Sequence, residues 1–180
     1  MNSLLVLGGA RSGKSRYAQA QAEDFVGDLV YVATGQAWDD EMTERIAAHR
    51  ADRGPRWRTV EEPLDLAAII AAHSRPETLL LIDCLTLWAS NLLLAGRDMD
   101  VERATLTHAI AGAPGPVILV ANEVGLGIVP DNALARRFRD AAGRINQAVA
   151  ATATQVVFVA AGLPLVLKGD PARPASSLLL

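Results

Sequence analysis

The chain has 180 residues, a length that holds one α/β domain with a buried core and is short for two domains. Hydrophobic residues make up 51% and charged residues 21%, a composition that excludes the intrinsically disordered class. Its 17 basic and 20 acidic side chains give a net charge of −3, so no overall positive field favours nucleic acid or anionic lipid as a partner.

The number of cysteines and the hydropathy predict the cellular compartment of the protein. Cys84 is the single cysteine, which indicates a reducing compartment, and we expect the cytoplasm. The opening residues have neither the basic side chains nor the apolar length of an export signal. The longest apolar run, 156–167, is interrupted by Gly162 and Pro164 and is shorter than the roughly 20 residues of a membrane helix. We therefore expect no membrane span.

Short runs rich in Val, Leu and Ile alternate along the chain with longer segments rich in Ala, Leu, Arg and Glu. Continuous apolar runs are typical of strands buried on both faces of a parallel sheet, and the longer segments are typical of helices. In chain order we predict strand Ser3–Leu7, helix Lys14–Phe25, strand Leu29–Ala33, helices Asp40–Arg53 and Leu64–Ser74, strand Thr78–Asp83, helices Leu85–Leu94 and Val101–Ala111, strand Val117–Ala121, helix Asn132–Ala153 and strand Gln155–Ala161.

This alternation predicts an α/β fold with three layers, a mostly parallel sheet covered by helices on both faces. We expect one domain over residues 1–168. After Lys168 the periodicity is lost and Pro and Ser accumulate, so residues 169–180 are predicted to form a loose tail or one docked on a neighbour.

The segment after the first predicted strand matches GxxxxGK[ST] in full and opens a predicted helix, which is the context that this motif requires. Its residues are Gly8, Gly9, Ala10, Arg11, Ser12, Gly13, Lys14 and Ser15. Glycine lets successive N–H groups converge on one anion, and the helix N-terminus adds partial positive charge. The motif predicts a P-loop NTPase fold of the RecA-like kind that binds the phosphates of ATP or GTP.

Three residues are predicted to act on the phosphates and their metal ion. Lys14 would reach the β- and γ-phosphates, and Ser15 would offer its hydroxyl to Mg²⁺. Asp83 ends a buried strand and is predicted to complete the shell of the metal; the alternative is an ordinary strand-end cap.

The predicted helix Asp40–Arg53 carries acidic residues at its start and basic residues at its end, as the helix dipole favours. Met42, Ile46 and His49 share one face, so His49 points along an apolar stripe. The basic residues near it are Arg45, Arg50, Arg53, Arg56 and Arg58, a cluster that could hold a second set of phosphates. Nearby cations disfavour the imidazolium, so we expect a neutral, nucleophilic imidazole. These residues alone leave open a packed or solvated helix histidine.

Other reactive or aromatic side chains are interpreted as structural. No charged cluster stands beside His73 or His108 in the sequence, and Cys84 is expected to be a small buried hydrophobe. Stacking on a base is open for three tryptophans that are more often core residues: Trp38, Trp57 and Trp88.

The chain resembles, over most of its length, the bifunctional adenosylcobinamide kinase and adenosylcobinamide-phosphate guanylyltransferase family of cobalamin biosynthesis. The segments that carry this resemblance are 7–16, 31–34, 39–42, 45–46, 49–50, 57–59, 122–130, 134–136, 138–140 and 143–147. The block Asn-Glu-Val-Gly-Leu-Gly-Ile-Val-Pro at 122–130 is uncommon among P-loop proteins.

The resemblance implies that His49 takes GMP from GTP as a phosphoramidate and passes it to adenosylcobinamide phosphate. It also implies an earlier phosphoryl transfer to adenosylcobinamide, Mg²⁺ at both steps, and a homotrimer. Outside the P-loop, the implied nucleotide contacts are Ala33, Thr34, Gly35, Arg50, Ala51, Asp52, Arg53, Glu61 and Asp83. Catalysis is assigned to His49 and Lys14, and metal binding to Ser15 and Asp83.

The residues also show departures from the family pattern, and they leave other functions open. Some relatives carry two adjacent histidines where this chain has Ala48 and His49, which leaves His49 as the one nucleophile there. Residues 122–125 lack the Lys and Asp of an NKxD motif, so guanine recognition stays open. Glu123 could orient or deprotonate the acceptor hydroxyl, or be a strand-end carboxylate. The alternatives are a monofunctional P-loop small-molecule kinase and a nucleotide-gated binding module.

Overall fold

The computed structural model describes residues 3–36 and 54–169, which form a seven-stranded sheet with helices on both faces. The strands are β1 (Ser3–Gly8), β2 (Asp28–Ala33), β3 (Trp57–Glu61), β4 (Thr78–Asp83), β5 (Val117–Asn122), β6 (Gln155–Ala160) and β7 (Leu163–Lys168). The helices are α1 (Lys14–Glu23), α2 (Leu66–His73), α3 (Leu85–Leu94), α4 (Met99–Gly112) and α5 (Ala133–Thr152). The predicted three-layer α/β class is confirmed.

The order of strands across the sheet is β3-β2-β4-β5-β1-β6-β7. All neighbours are parallel except β7, which runs antiparallel to β6. Strand β5 therefore lies between β1, which leads into the P-loop, and β4, which ends at Asp83. Because parallel strands end at the same edge of a sheet, one edge collects the loops on which ligands bind in open α/β sheets.

Two hydrophobic cores lie on opposite faces of the sheet. Leu4 and Val6 of β1 pack with Ala18 and Ala22 of α1. Leu5 and Leu7 of the same strand pack in the second core, which gathers apolar residues from α2, α3, α4 and α5. Successive side chains of a strand point to opposite faces, so a strand covered on both sides is apolar throughout. This explains why β1 could be predicted from its continuous apolar run.

Two strands were not predicted, for different reasons. Strand β3 lies at the edge of the sheet and is only partly buried, so its sequence, which includes Arg58 and Glu61, lacks an apolar run. Strand β7 is the second half of the run 156–167, which folds back as a hairpin at Ala161 and Gly162. Both residues have positive φ, 51° and 80°, as a two-residue hairpin turn of type I′ requires.

The remaining element boundaries lie close to the predictions. Asn132 caps α5 by accepting from the backbone N–H of Ala135, and Asp98 caps α4, which begins at Met99, two residues before the predicted start. The predicted helix Asp40–Arg53 lies outside the described residues, and so does the predicted tail beyond Gly169. In the described part of the chain no helix is both long and apolar enough to cross a bilayer. Whether residues 1–168 are a single domain stays a prediction.

Candidate functional site

The loop between β1 and α1 has the backbone shape that its glycines predict. Gly13, the residue before α1, has a φ of 95°, and Arg11 has a φ of 54°. The carbonyl of Gly13 accepts from Tyr17 N at 2.9 Å, which begins the helix. Lys14 Nζ donates to Gly9 O at 3.3 Å, so the ammonium lies over the loop itself. The ammonium therefore lies beside the N-terminus of α1, where the helix itself favours an anion, as a phosphate site requires.

Gly8 is required by packing as well as by the motif. A Cβ at this position would lie 2.5 Å from Ser12 Oγ and 2.6 Å from the carbonyl oxygen of Val159. We expect Gly8→Ala to lower the free energy of unfolding by about 1–3 kcal/mol, because the loop and β6 must shift to admit the methyl group. Urea unfolding measures this loss.

Gly9→Ala is the matched control for stability, since a Cβ there would meet no atom of residues 3–36 and 54–169 within 4 Å. Its free energy of unfolding should stay within about 0.5 kcal/mol of the parent protein. Equal losses for both variants would contradict the packing role of Gly8.

The turn of the β6–β7 hairpin supports the phosphate loop from outside. Gly162 N donates to Ser12 O at 2.8 Å, and a Cβ on Gly13 would lie 3.2 Å from Gly162 Cα. Gly162 was not predicted to be part of the site. Its one sequence signal was the interruption of an apolar run by glycine and proline.

Three residues predicted to contact the nucleotide meet at the same edge of the sheet. In the strand register Ala33 pairs with Asp83 on one side and with Glu61 on the other. Gly35 follows two residues after the end of β2 and is half-buried. The structure therefore brings together residues that are up to 50 positions apart in the chain, as predicted for a ligand site on an open sheet.

Thr34 is fully buried and its hydroxyl is engaged within the protein. The hydroxyl donates to Cys84 O at 2.8 Å and accepts from Cys84 N at 2.8 Å. Its carbonyl accepts from Asn91 Nδ2, also at 2.8 Å. The side chain of Thr34 thus joins the ends of β2 and β4, while Ala33 and Gly35 retain exposed surface.

Thr34→Val should be destabilising, because it leaves the N–H of Cys84 buried without its acceptor and removes one of two donors to the Cys84 carbonyl, which also accepts from Trp88 N. We expect a loss of about 1–3 kcal/mol in the free energy of unfolding. Thr34→Ser keeps the hydroxyl and is expected to lose less than half as much. If the two variants unfold at the same urea concentration, the hydroxyl bridge is not what stabilises this edge.

Cys84 is next to Asp83 but is not a nucleophile. Burial, followed by the charge of Asp83, raises the pKa of its thiol to about 11, and the ammonium of Lys14 acts in the opposite direction. The thiol is therefore protonated at neutral pH, in agreement with the sequence interpretation.

The predicted metal ligands are too few to complete the coordination of a metal ion by themselves. Among residues 3–36 and 54–169, no three His, Cys, Asp or Glu side chains are grouped as a metal site. Ser15 in the first turn of α1 and Asp83 at the end of β4 supply one hydroxyl and one carboxylate. Mg²⁺ commonly takes one or two protein oxygens, phosphate oxygens and water, so these residues fit an ion that arrives with a nucleotide.

Part of the predicted second phosphate cluster is wrong. Arg56 donates to three backbone carbonyls, those of Glu23, Phe25 and Gly27, at 2.7–3.3 Å. Arg58 lies 3.2 Å from Nδ1 of His73. Both arginines are at the amino end of β3, because the strand begins between them. The amino ends of the parallel strands lie opposite their carboxyl ends, where the phosphate loop is.

The expectation that no charged group stands beside His73 is also wrong. Partial burial, followed by the positive charges of Arg58 and Arg75, lowers the pKa of His73. Its position at the end of α2, on the edge away from the P-loop, nevertheless agrees with a structural role. Several predicted residues lie outside the described part of the chain: Trp38, Arg45, His49, Arg50, Ala51, Asp52 and Arg53.

Two buried oxygen atoms next to the loop lack a hydrogen-bond partner within the described ranges. They are Ser12 Oγ and Asn122 Oδ1. Asn122 pairs with Gly8 in the sheet, and its backbone N–H and carbonyl are satisfied by Thr86 and Asn146. Buried polar atoms are rarely left unpaired, so these two are available to a ligand or to water. Sequence reasoning missed Asn122, whose place between the P-loop and Asp83 depends on the strand order.

Glu123 and two tryptophans have identifiable structural contacts. The N–H of Glu123 donates to Gly8 O at 3.0 Å, and its carboxylate accepts from Gly125 N at 2.7 Å. Trp88 is buried and donates to Leu64 O, and Trp57 packs edge-on against Tyr31 with ring centroids 6.3 Å apart. The tryptophans are thus core residues, and Glu123 holds the turn beside the phosphate loop.

Comparisons with known proteins agree with these features. A family model described as cobinamide kinase / cobinamide phosphate guanyltransferase matches residues 4–167. The bifunctional adenosylcobalamin biosynthesis protein CobP of Pseudomonas aeruginosa is 50% identical over 169 residues, covering 93% of this chain and 98% of that protein. The corresponding CobU protein of Salmonella typhimurium is 43% identical over 180 residues, covering 92% and 99%. A solved protein from Pyrococcus horikoshii has a TM-score of 0.55 at 9% identity, covering 97% and 90%, a likeness of fold alone.

Proposed function

Since the chain belongs to the cobinamide kinase / cobinamide phosphate guanyltransferase family, we propose that it catalyses both reactions in which adenosylcobinamide becomes adenosylcobinamide-GDP. The first is phosphoryl transfer from ATP or GTP to the aminopropanol hydroxyl of adenosylcobinamide. The second is transfer of GMP from GTP to the resulting phosphate, with release of pyrophosphate. The observation that carries this conclusion is a complete phosphate loop within a chain that matches the family over residues 4–167.

The kinase step uses the phosphate loop. The acceptor hydroxyl attacks the γ-phosphorus and loses its proton to water, the bond to the β,γ-bridging oxygen breaks, and the nucleoside diphosphate leaves. Lys14 and the loop N–H groups stabilise the charge on the transferring phosphoryl group. When bound, Mg²⁺ neutralises phosphate charge, and Ser15 and Asp83 are the residues that would hold it.

The guanylyl step is assigned to His49 through the family resemblance. A neutral imidazole nitrogen attacks the α-phosphorus of GTP, forming a P–N bond as the bond to pyrophosphate breaks. A phosphate oxygen of adenosylcobinamide phosphate then attacks the same phosphorus and releases the imidazole. Arg50 and Arg53 are proposed to steady the α-phosphate. Two displacements through a covalent intermediate replace one more difficult step.

Labelling the protein tests the second reaction directly. With GTP carrying ³²P at the α-phosphate, we expect an acid-labile, alkali-stable label on the protein, and adenosylcobinamide phosphate should discharge it. GTP labelled at the γ-phosphate should leave no label. A protein that phosphorylates adenosylcobinamide but never takes the α-label is a monofunctional kinase, and phosphate release that ignores adenosylcobinamide would instead indicate a nucleotide-gated module.

We also propose that the chain assembles as a homotrimer and works in the cytoplasm. The family resemblance supports the trimer, and the single cysteine supports a reducing compartment. Exposed apolar side chains on the edge strand β7, including Leu163 and Leu165, are compatible with a subunit contact. Light scattering during size-exclusion chromatography measures the mass, and a monomer at micromolar concentration would contradict the trimer.

A further inference from the structure

A cleft of about 510 Å³ opens between α5 and the turn that follows β5. Leu7 of β1 and Glu123 and Gly125 of the turn contribute to its lining. Because Glu123 N donates to Gly8 O at 3.0 Å, the cleft begins where the phosphate loop begins. Its volume is within the range of about 300–1,000 Å³ that is typical of small-molecule sites. A molecule in the cleft would lie at the same edge of the sheet as phosphates bound by the loop.

One face of α5 forms the opposite wall. Its lining residues recur at helical spacing: Arg139, Gly143, Asn146, Gln147 and Ala150. Asp140 accepts from Arg139 Nε at 3.1 Å and from Nη2 at 2.9 Å, which orients that guanidinium. Arg144 and Gln147 are exposed beside it. This wall presents guanidinium and amide groups, which form hydrogen bonds with amide oxygens and with phosphate.

Gly143 is a glycine in the interior of a 20-residue helix, where it costs about 1 kcal/mol relative to alanine. Packing within the chain does not require it, because a Cβ at this position would meet no atom of the described residues within 4 Å. Gly8 is the contrast, since there the neighbouring atoms exclude a side chain. Because Gly143 has no side chain, the space beside this wall of the cleft stays open.

The turn at the mouth of the cleft carries apolar side chains that no described residue covers. Leu126, Ile128 and Val129 are 81%, 98% and 64% exposed. The carboxylate of Glu123 fixes the start of this turn through its hydrogen bond with Gly125 N. Apolar groups next to a polar helix face suit a ligand that has an apolar body and a polar periphery.

We propose that this cleft is the docking site of the corrinoid acceptor, with the apolar faces of the macrocycle on residues 126–129 and its peripheral amides on the α5 wall. The inference rests on the proposed function, since it takes adenosylcobinamide as the substrate. A corrin ring has the required combination of a large apolar surface and many amide side chains. In this position its aminopropanol arm extends past Glu123 and Gly8 toward phosphates held at Lys14. The cleft would serve both reactions, because they share that acceptor.

The proposal is tested by placing a larger side chain at position 143, in the open space of the cleft. Gly143→Leu is expected to raise the Kd for adenosylcobinamide about tenfold or more, while the Kd for GTP stays within about twofold of the parent value. Both constants are measured by isothermal titration calorimetry on the full chain. Ala151→Leu is the matched control, because it adds a similar side chain at an exposed position of the same helix outside the cleft, and it should change neither constant.

Gly143→Ala keeps the proposal testable if leucine impairs folding. It should raise the melting temperature, because alanine favours the helix by about 1 kcal/mol, and still weaken adenosylcobinamide binding by roughly threefold. Normal adenosylcobinamide binding by both Gly143 variants overturns the proposal, as does a loss of GTP binding in place of acceptor binding. If the parent protein binds GTP but no adenosylcobinamide, the proposed function itself fails, a result that differs from either of these.

Discussion

Lys14→Ala is expected to reduce phosphorylation of adenosylcobinamide by about 10²–10³-fold or more. The substitution removes the ammonium at the phosphate loop, which now lies 3.3 Å from Gly9 O and is free to turn to the β- and γ-phosphates. Because the same loop is proposed to hold GTP for guanylyl transfer, protein labelling from α-labelled GTP should fall with it. Initial rates with adenosylcobinamide and ATP, and the amount of protein-bound label, measure the two effects.

Lys168→Ala is a matched control for this experiment. The sequence contains two lysines. Lys168 is the last residue of β7 and pairs with Val156 near the start of β6, at the end of the sheet away from the phosphate loop. Its Nζ donates to Ala150 O at 2.9 Å and to Ala151 O at 2.8 Å, at the end of α5. We expect a loss of at most about 1 kcal/mol of stability and no change in either activity. Full kinase activity in Lys14→Ala would remove the phosphate loop from the reaction.

His49→Ala is expected to abolish the covalent label and lower guanylyl transfer by roughly 10³-fold or more, because no phosphoramidate can form. Phosphorylation of adenosylcobinamide should continue, since that step does not pass through the imidazole. Supplying adenosylcobinamide phosphate with GTP isolates the transfer step, and supplying adenosylcobinamide with ATP isolates the kinase step. The expected result is a protein that accumulates adenosylcobinamide phosphate.

His108→Ala is the control for the loss of a histidine. His108 is exposed on α4 and is not one of the residues at the carboxyl ends of the strands, where the phosphate loop lies. Both activities should therefore be unchanged. His73 is a poorer control, because its contact with Arg58 links α2 to β3. A His49→Ala protein that still takes the α-label would show that another residue is the nucleophile, and the assignment made from the family resemblance would be wrong.

Much of the site could be predicted because its parts are local in sequence. The P-loop is a continuous segment whose backbone shape depends on its own glycines, so the motif was sufficient to identify Gly8, Gly13 and Lys14. Asp83 could be placed at a strand end because a run of buried apolar residues precedes it. Ala33 and Glu61 were assigned through family resemblance, and the strand register places Ala33 between Glu61 and Asp83.

Residues whose neighbours are remote in the chain could not be assigned in this way. Arg56 and Arg58 follow a basic segment, but the start of β3 places them at the opposite edge of the sheet, against backbone carbonyls and His73. Thr34 was predicted as a nucleotide contact, and only the pairing of β2 with β4 directs its hydroxyl to Cys84. The positive φ of Ala161 and Gly162 turns one apolar run into two strands.

The sequence by itself determined the α/β class, the phosphate loop and the family, because each is encoded in contiguous residues or short periodic patterns. Only the tertiary structure decided that Asn122 lies between the phosphate loop and Asp83, that Gly162 supports Ser12, and that Gly143 faces an open cleft. The physical reason is that strand order and helix orientation are fixed by how whole layers bury their apolar faces, and no local pattern specifies which distant residues then meet.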